Sequence, residues 1–327
     1  MPTSCMPARA LALFAALGVA AWTLSGCSIE SRFYRASLKS FATPEGVQDM
    51  SIPVSGGTVH AWFVPGPMLA RQAATAHPAC GEHLDNSDSA STGAIRADDL
   101  HPEPLRRPAL LFCHGALFTI DRLLPHLSPI AERAGVALMM VSYRGFGRSS
   151  PLERITRRTT ADDAIAAFDA LAARPDVDPA RIVVMGYSLG GPPAAAVARA
   201  RPVAGLVIGG TYSRAADALD DLGLSRYAWL IGNDLDPAPT VAQLGQKRPV
   251  PPLLVVHAED DESTRSYHAF AIAASAARAG VPVSVRIIPG AGHREVFLES
   301  SLRDAVAEFT SRVVAGPARS GEHPSSD

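Results

Sequence analysis

The run Arg181-Ile-Val-Val-Met-Gly-Tyr-Ser-Leu-Gly-Gly191 constrains the fold of this chain more than any other stretch. Ile182 to Met185 is short, apolar and rich in β-branched residues, the pattern of a buried parallel strand. Gly186-Tyr187-Ser188-Leu189-Gly190 is a G-x-S-x-G turn, and Ala194 to Ala200 continues as an alanine-rich helix. Strand, sharp turn and helix in succession place Ser188 on a strained backbone, where a Cβ at position 186 or 190 would crowd the converging strand and helix. The helix that follows aims its unpaired N–H groups and positive end at the place where a negatively charged oxygen would form beside the serine. A chance match in a chain rich in glycine and serine is the competing reading, and the flanking elements argue against it.

Around this turn the sequence alternates strand and helix. Ala109 to Cys113 reads as a buried strand running into His114-Gly115-Ala116-Leu117. A helix is expected over about Pro125 to Ala134, and a strand over Val136 to Val141 ending in Ser142-Tyr143-Arg144-Gly145-Phe146-Gly147-Arg148-Ser149. Thr160 to Ala173 reads as an amphipathic helix with Asp162 and Asp163 in its first turn. Further strands are expected at Ala204–Ile208, Leu253–His257 and Val281–Ile288, with helices at His268–Arg278 and Leu302–Val314. Repeated strand–helix units imply an α/β fold, a mostly parallel sheet with helices on both faces. Ahead of it, Met50–Val54 and Thr58–Val64 flank Gly56-Gly57 as an antiparallel hairpin. The domain is therefore bounded at 49–315, and the polar end, 316–327, is expected to be disordered. Residues 65–108 break the pattern with several prolines and Asn86-Ser-Asp-Ser-Ala-Ser-Thr-Gly93, and are expected to be a long mobile insertion. A lid or partner arm is its functional reading; a tolerated surface insertion is the plainer one.

The 327 residues suffice for one large α/β domain plus tails. A formal net charge of −2 gives no reason to expect nucleic acid as a partner. Residues 1–26 read as a targeting segment. Arg9 precedes the apolar stretch Ala10–Leu24, too short to span a membrane and suited to a signal-peptide core. It ends in Leu24-Ser25-Gly26-Cys27, which resembles the lipobox of bacterial lipoproteins. That resemblance implies a diacylated Cys27 as the first mature residue, a short tether over 27–48, and a protein held to a membrane surface in the cell envelope without a spanning helix. Ser28 after the cysteine implies, by the same resemblance, the outer membrane of a Gram-negative cell. An ordinary secretory signal with an incidental cysteine is the alternative. Cys80 and Cys113 are left after processing, Cys113 within an apolar strand where a buried inert thiol is expected. No cysteine or histidine spacing suggests a metal, and Gly145-Phe146-Gly147 lacks the full spacing for a dinucleotide, so no cofactor is expected.

The motifs His114-Gly115, Tyr143 to Ser149, Gly186 to Gly191, His257-Ala-Glu-Asp-Asp261 and Gly290-Ala-Gly-His293 follow one another in an order that resembles the α/β-hydrolase superfamily, over roughly Ser51 to Val314. The chain is most similar to its lid-poor serine hydrolases. The resemblance implies a triad of Ser188 as nucleophile, His293 as base and Asp261 as orienting acid, in the chain order this fold uses. Asp260 competes with Asp261. The oxyanion is expected to face the N–H of Leu189 and that of Ala116, or else Leu117. His114 and His257 read as structural, and Arg144 as a brace of the turn. Two departures stand out: Ala258 replaces the usual glycine, and Glu262-Ser-Thr-Arg265 replaces the usual apolar residue and proline after the acid. The segment 211–252, where many relatives carry a cap, is short, with an apolar part at Leu222–Ile231 that lines an acyl pocket or covers the core. The expected activity is hydrolysis of a small-molecule acyl ester through an acyl-enzyme. Thioesters or amides would use the same parts, and a lipoprotein binding module without turnover is the reading from another class. A dehalogenase or epoxide hydrolase is disfavoured because those chemistries place aspartate at position 188.

Overall fold

The computed structural model describes residues 36–66, 106–116, 119–230, 232–233 and 235–316. The expected signal segment, nearly all of the 65–108 insertion, Cys27, Cys80, Leu117 and the polar end lie outside the described residues.

Eight strands form one sheet in the order β10-β9-β8-β7-β4-β5-β3-β2. The hairpin β2 (Gln48–Val54) and β3 (Gly57–Val64) is antiparallel, and β3 runs antiparallel to β5 (Ala137–Ser142). From β5 onward all neighbours are parallel: β4 (Arg107–Cys113), β7 (Val177–Tyr187), β8 (Gly205–Gly209), β9 (Leu253–Ala258) and β10 (Val283–Ile288). The buried β-branched runs account for this arrangement, because a strand covered by helices on both faces has no polar side to alternate.

Helices fill both faces. On one, α1 (Ile120–Ala134) and α7 (Ser300–Ala315) bury Leu123, Leu127, Ile130, Leu302 and Val306 against the side chains of alternate strand positions. On the other, α2 (Arg157–Ala172), α3 (Gly191–Ala200) and α6 (Tyr267–Arg278) bury Ala164, Phe168, Ala194, Ala198 and Ile272. The alanine richness of these helices is what lets them pack so close to the sheet. Between β8 and β9 lie two short helices, α4 (Ala215–Asp221) and α5 (Pro237–Ala242), with a 3-10 turn at Ser225–Leu230. The cap is therefore short, as expected.

Several boundaries differ from the sequence reading, three of them informatively. The first helix starts at Ile120, not Pro125, and carries Pro125 and Pro129 inside it. Proline reads as a start signal because it lacks an N–H, but here tertiary burial of Ile120 and Leu123 extends the helix past it. The second starts at Arg157, capped by Thr156 and Thr159 in a reciprocal capping box, which moves Asp162 and Asp163 out of the first turn. Within the lead-in, Ser37–Leu38 forms a short strand, β1, pairing in parallel with β6 (Phe146–Gly147) in the loop after β5.

That loop is fixed from below by a buried ion pair. Arg144 donates from its backbone N–H to Asp163 Oδ2 and from Nε to Oδ1, each at 2.8 Å, and from a guanidinium N–H to the Ser55 carbonyl at 2.6 Å. Arg144 thus braces the turn, as expected, by tying the β5 loop to α2 and the hairpin. Removing either partner strands a buried charge, at a cost of about 3–5 kcal/mol. A second buried pair, Arg157 to Asp236 at 2.6 Å, ties the start of α2 to the cap.

Candidate active site

Ser188 follows directly on β7 and opens the 3-10 turn Ser188–Gly190 that leads into α3. Its φ is +56°, and among the described residues it is the one non-glycine residue with positive φ. Such a backbone costs of order 1–3 kcal/mol and persists only where the surroundings impose it. The neighbours impose it here. A Cβ at Gly186 would lie 2.1 Å from the Gly190 carbonyl oxygen, and one at Gly190 would lie 2.0 Å from the Cys113 carbonyl oxygen. Both glycines are required by close packing of β4, β7 and α3, as the motif suggested.

His293 lies in the loop after β10, 7% exposed. Its Nε2 is 3.1 Å from Ser188 Oγ and its Nδ1 is 2.7 Å from Asp261 Oδ2. Asp261, at the end of the loop that leaves β9, is buried, while Asp260 is exposed and points its backbone N–H to the Ala291 carbonyl. The structure therefore brings Ser188, His293 and Asp261 together, and leaves Asp260, Glu259 and Glu262 at the surface.

Asp261 is held by more than His293. Its Oδ1 accepts the backbone N–H groups of Ser263 at 2.9 Å and Thr264 at 2.7 Å, and Oδ2 accepts the Thr264 hydroxyl at 3.1 Å. Burial works to raise its pKa, but the bonds from His293 and Thr264 outweigh it, so the carboxyl lies below its ordinary value. A carboxylate so held can fix the imidazole tautomer, with Nδ1–H toward Asp261 and Nε2 free to accept from the serine. Thr264 and Ser263 escaped the sequence reading. The signal was present: an aspartate side chain commonly accepts the backbone N–H two residues on in an Asx turn, and here Ser263 and Thr264 supply N–H groups in the place where the expected apolar–proline pair is missing.

Tyr187 also escaped it. Its hydroxyl donates to the His293 carbonyl at 2.6 Å, and its ring packs 5.3 Å from the imidazole and 4.6 Å from the ring of Phe297. It reads from sequence as the variable residue of the G-x-S-x-G turn; in the fold it anchors the base loop to the nucleophile strand.

The loop after β4 abuts the serine. A Cβ at Gly115 would fall 3.0 Å from Ser188 Cβ and 3.5 Å from Oγ, so a larger residue would press on the serine. Ala116 follows on this loop, and Leu189 follows the serine, which places both expected oxyanion donors on segments flanking Ser188. His114 is buried, its Nδ1 2.6 Å from the Gly115 carbonyl, its ring packed on Tyr143 and Phe146. Burial lowers its pKa to about 4, so it stays neutral and braces the loop. His257 bonds through Nε2 to the Thr264 carbonyl at 2.8 Å and lies 3.5 Å from Asp261, beneath the acid. Cys113 is a buried free thiol, its pKa pushed up by burial to about 12, which keeps it inert.

A family model described as the prolyl oligopeptidase family matches residues 127–312, more than half of the chain and all three of Ser188, Asp261 and His293. The chain belongs to this family. An uncharacterized protein of Mycobacterium tuberculosis is 30% identical over 207 residues, covering 62% of this chain and 69% of that one. The alpha/beta hydrolase domain-containing protein 17C of Homo sapiens is 24% identical over 208 residues, covering 64% of this chain and 59% of that one. Among solved structures, the thermostable carboxylesterase EstE1 from a metagenomic library superposes with a TM-score of 0.57 at 20% identity, over 84% of this chain and 91% of that one. Carboxyl esterase 2 of Tuber melanosporum gives 0.58 at 15% identity, over 85% and 90%. The fold is thus that of the α/β hydrolases, a mostly parallel central sheet flanked by helices, as the motif order implied.

Proposed function

We propose that the chain is a serine hydrolase that cleaves carboxylic acyl esters through a covalent acyl-enzyme, and that acylated Cys27 holds it to a membrane of the bacterial envelope. One observation carries the catalytic reading: the strained Ser188 with its Oγ 3.1 Å from an imidazole whose other nitrogen is 2.7 Å from a buried carboxylate. A serine hydroxyl is too weak an acid to attack unaided at neutral pH, so the imidazole must take its proton.

In the first half-reaction Ser188 Oγ bonds to the ester carbonyl carbon as its proton passes to His293 Nε2. The carbonyl oxygen becomes an oxyanion facing the N–H groups of Leu189 and Ala116. Collapse breaks the ester C–O bond, and the alcohol leaves with the proton from Nε2. In the second, His293 takes a proton from water, the hydroxide attacks the acyl carbon, and the acid departs as Ser188 recovers its proton. Asp261 stays ionised throughout, compensating the imidazolium. The similarity of the fold to carboxylesterase structures supports ester over other acyl substrates.

The family match favours a second reading, amide or peptide cleavage with the same residues. Paired ester and amide substrates sharing one acyl group separate the two. The test of the common mechanism is labelling with a fluorophosphonate probe, located by mass spectrometry. Label on Ser188 that vanishes in Ser188→Ala and His293→Ala is the expected result. A folded protein that takes no label, and turns over neither substrate, overturns the proposal in favour of a binding module on this fold.

A further inference from the structure

Six large apolar side chains stay exposed among the described residues: Leu38, Leu222, Trp229, Tyr267, Phe270 and Leu298, with Trp229 73% exposed. Single exposed apolar residues are ordinary; the placement of these six is not. Leu38 pairs alongside the loop that leaves β5. Leu222 and Trp229 lie in the cap that follows β8, Tyr267 and Phe270 in the first turn of the helix after β9, and Leu298 in the 3-10 turn after β10. Leu38 thus lies beside, and the other five lie within, the segments that follow the carboxyl ends of β5, β8, β9 and β10, at the edge onto which Ser188 opens. The opposite edge is polar. There Arg174 pairs with Asp176, and Lys247 donates to the carbonyls of Ala198, Arg199 and Arg201.

The N-terminal chain enters at the same apolar edge. Ser37 and Lys39 donate their N–H groups to the Gly145 and Gly147 carbonyls, at 2.8 and 2.9 Å, in the loop whose Phe146 packs on His114 beside the site. Ala36 is nine positions after Cys27, a span of about 30 Å at full extension. An acyl anchor at Cys27 thus keeps the edge that carries Ser188 close to the bilayer. Beside Leu298, a cleft lined by Arg122 and Arg294 as well as Glu295 adds positive charge suited to anionic headgroups. Among the described residues no helix is long and apolar enough to cross a membrane.

We propose that this carboxyl-edge face seats on a lipid bilayer, with Leu222, Trp229 and Leu298 entering the interface, so that the site receives acyl chains from the membrane. The inference rests on the anchoring of Cys27 proposed above.

Trp229 is its natural reporter. The chain has three tryptophans, of which Trp62 is fully buried and Trp22 lies in the expected signal segment, so the mature chain acylated at Cys27 leaves Trp229 as the accessible one. Ser188→Ala in the same chain removes turnover from the measurement. On phosphatidylethanolamine–phosphatidylglycerol vesicles with bromines near the headgroup, Trp229 emission is expected to fall by roughly half or more, and Leu222→Asp with Leu298→Asp to restore most of it. Protein that floats with the vesicles while Trp229 stays unquenched overturns the proposal. So does a Trp229 shielded from iodide without lipid in a chain that sediments as a dimer, since the face then meets a second copy. A chain that does not float overturns both this face and the anchor, while fluorophosphonate labelling still judges the hydrolase reading on its own.

Discussion

Among the described residues two Ser–His–Asp clusters share a composition and differ in how the serine is presented. The first is Ser188, His293 and Asp261. The second lies at the base of the cap: Ser213 Oγ is 2.9 Å from His268 Nδ1, and His268 Nε2 is 3.0 Å from Asp221 Oδ2. The residue types and distances are nearly those of the first. The differences lie in access and in the remaining partners. Ser188 stands half-exposed on a strained turn and shares its hydroxyl with no carboxylate, whereas Ser213 is 1% exposed and donates its hydroxyl to Asp217 Oδ2 at 2.6 Å. The Ser213 amide already donates to His268 Nδ1 at 3.2 Å, so that nitrogen is occupied where His293 Nε2 is poised. The second cluster pins α4 to α6, and Tyr267 completes it through Asp221 at 3.2 Å. Three residue types in contact make a structural tie unless the hydroxyl is presented to substrate and its proton has one destination.

The largest expected effect tests that contrast directly. Ser188→Ala is expected to lower kcat for a chromogenic ester by about 10⁴-fold or more, with His293→Ala comparable. Ser213→Ala is expected to stay within about threefold of the parent in the same assay. Equal losses in Ser188→Ala and Ser213→Ala would break the distinction between the clusters.

The acids sharpen it next. Asp261→Asn keeps the shape but offers an amide where the imidazole needs a carboxylate, and a fall in kcat of about 10³–10⁴-fold is expected. Asp260→Asn, one residue away and exposed, is expected to leave kcat within about twofold. Activity that follows Asp260 instead of Asp261 would reassign the orienting acid.

Acid distinguishes the clusters in another way. The carboxyl of Asp261 lies below its ordinary value of 3.8, despite burial, through its bonds to His293 and Thr264. Its contribution to stability is present above about pH 4 and is lost only as pH falls through the lower folded value. His268 is buried, and burial lowers its pKa below the ordinary 6.5 despite Asp221. The unfolded chain therefore takes up a proton first, and stability falls as pH drops below about 6.5. Burial of His114, at about 4, adds in the same window, worth about 3 kcal/mol once pH has reached that value. Tm is expected to decline between pH 6.5 and 4, before Asp261 loses its charge, and less steeply in His268→Gln, whose amide can still meet Asp221 and the Ser213 N–H. Identical slopes in the two proteins would remove His268 from the acid response.

Much of this was legible before any coordinates. The sheet, the helices on both faces, the hairpin and the elbow follow from apolar periodicity and from glycines at 186 and 190 that packing requires. Ser188, His293 and Asp261 were legible because each follows a strand in the order this fold uses. What was hidden is side-chain company. Thr264 and Tyr187 hold the acid and the base through bonds that no periodicity reports. The Ser213–His268–Asp221 cluster joins residues 213, 221 and 268, whose contact depends on how the cap folds back onto α6. Helix starts were misplaced where a proline gave a local signal that burial overrode, and where an acidic pair drew attention from the Thr156–Thr159 capping box.

The smallest effect bears on what the second cluster is for. If it is a tie between cap and sheet, its loss should appear in stability and not in turnover. Ser213→Ala removes one buried hydroxyl that bridges Asp217 and His268, and such a bond contributes about 1 kcal/mol. In a domain of this size that corresponds to a fall in Tm of about 2–4 °C by calorimetry. The combination of a lowered Tm with parental kcat identifies a tie. An unchanged Tm with altered KM would mean instead that the hydroxyl acts through the cap on the substrate, because the cap segment it anchors carries the exposed Leu222 and Trp229. The two clusters would then be coupled through the cap, which would be part of the binding surface in its own right.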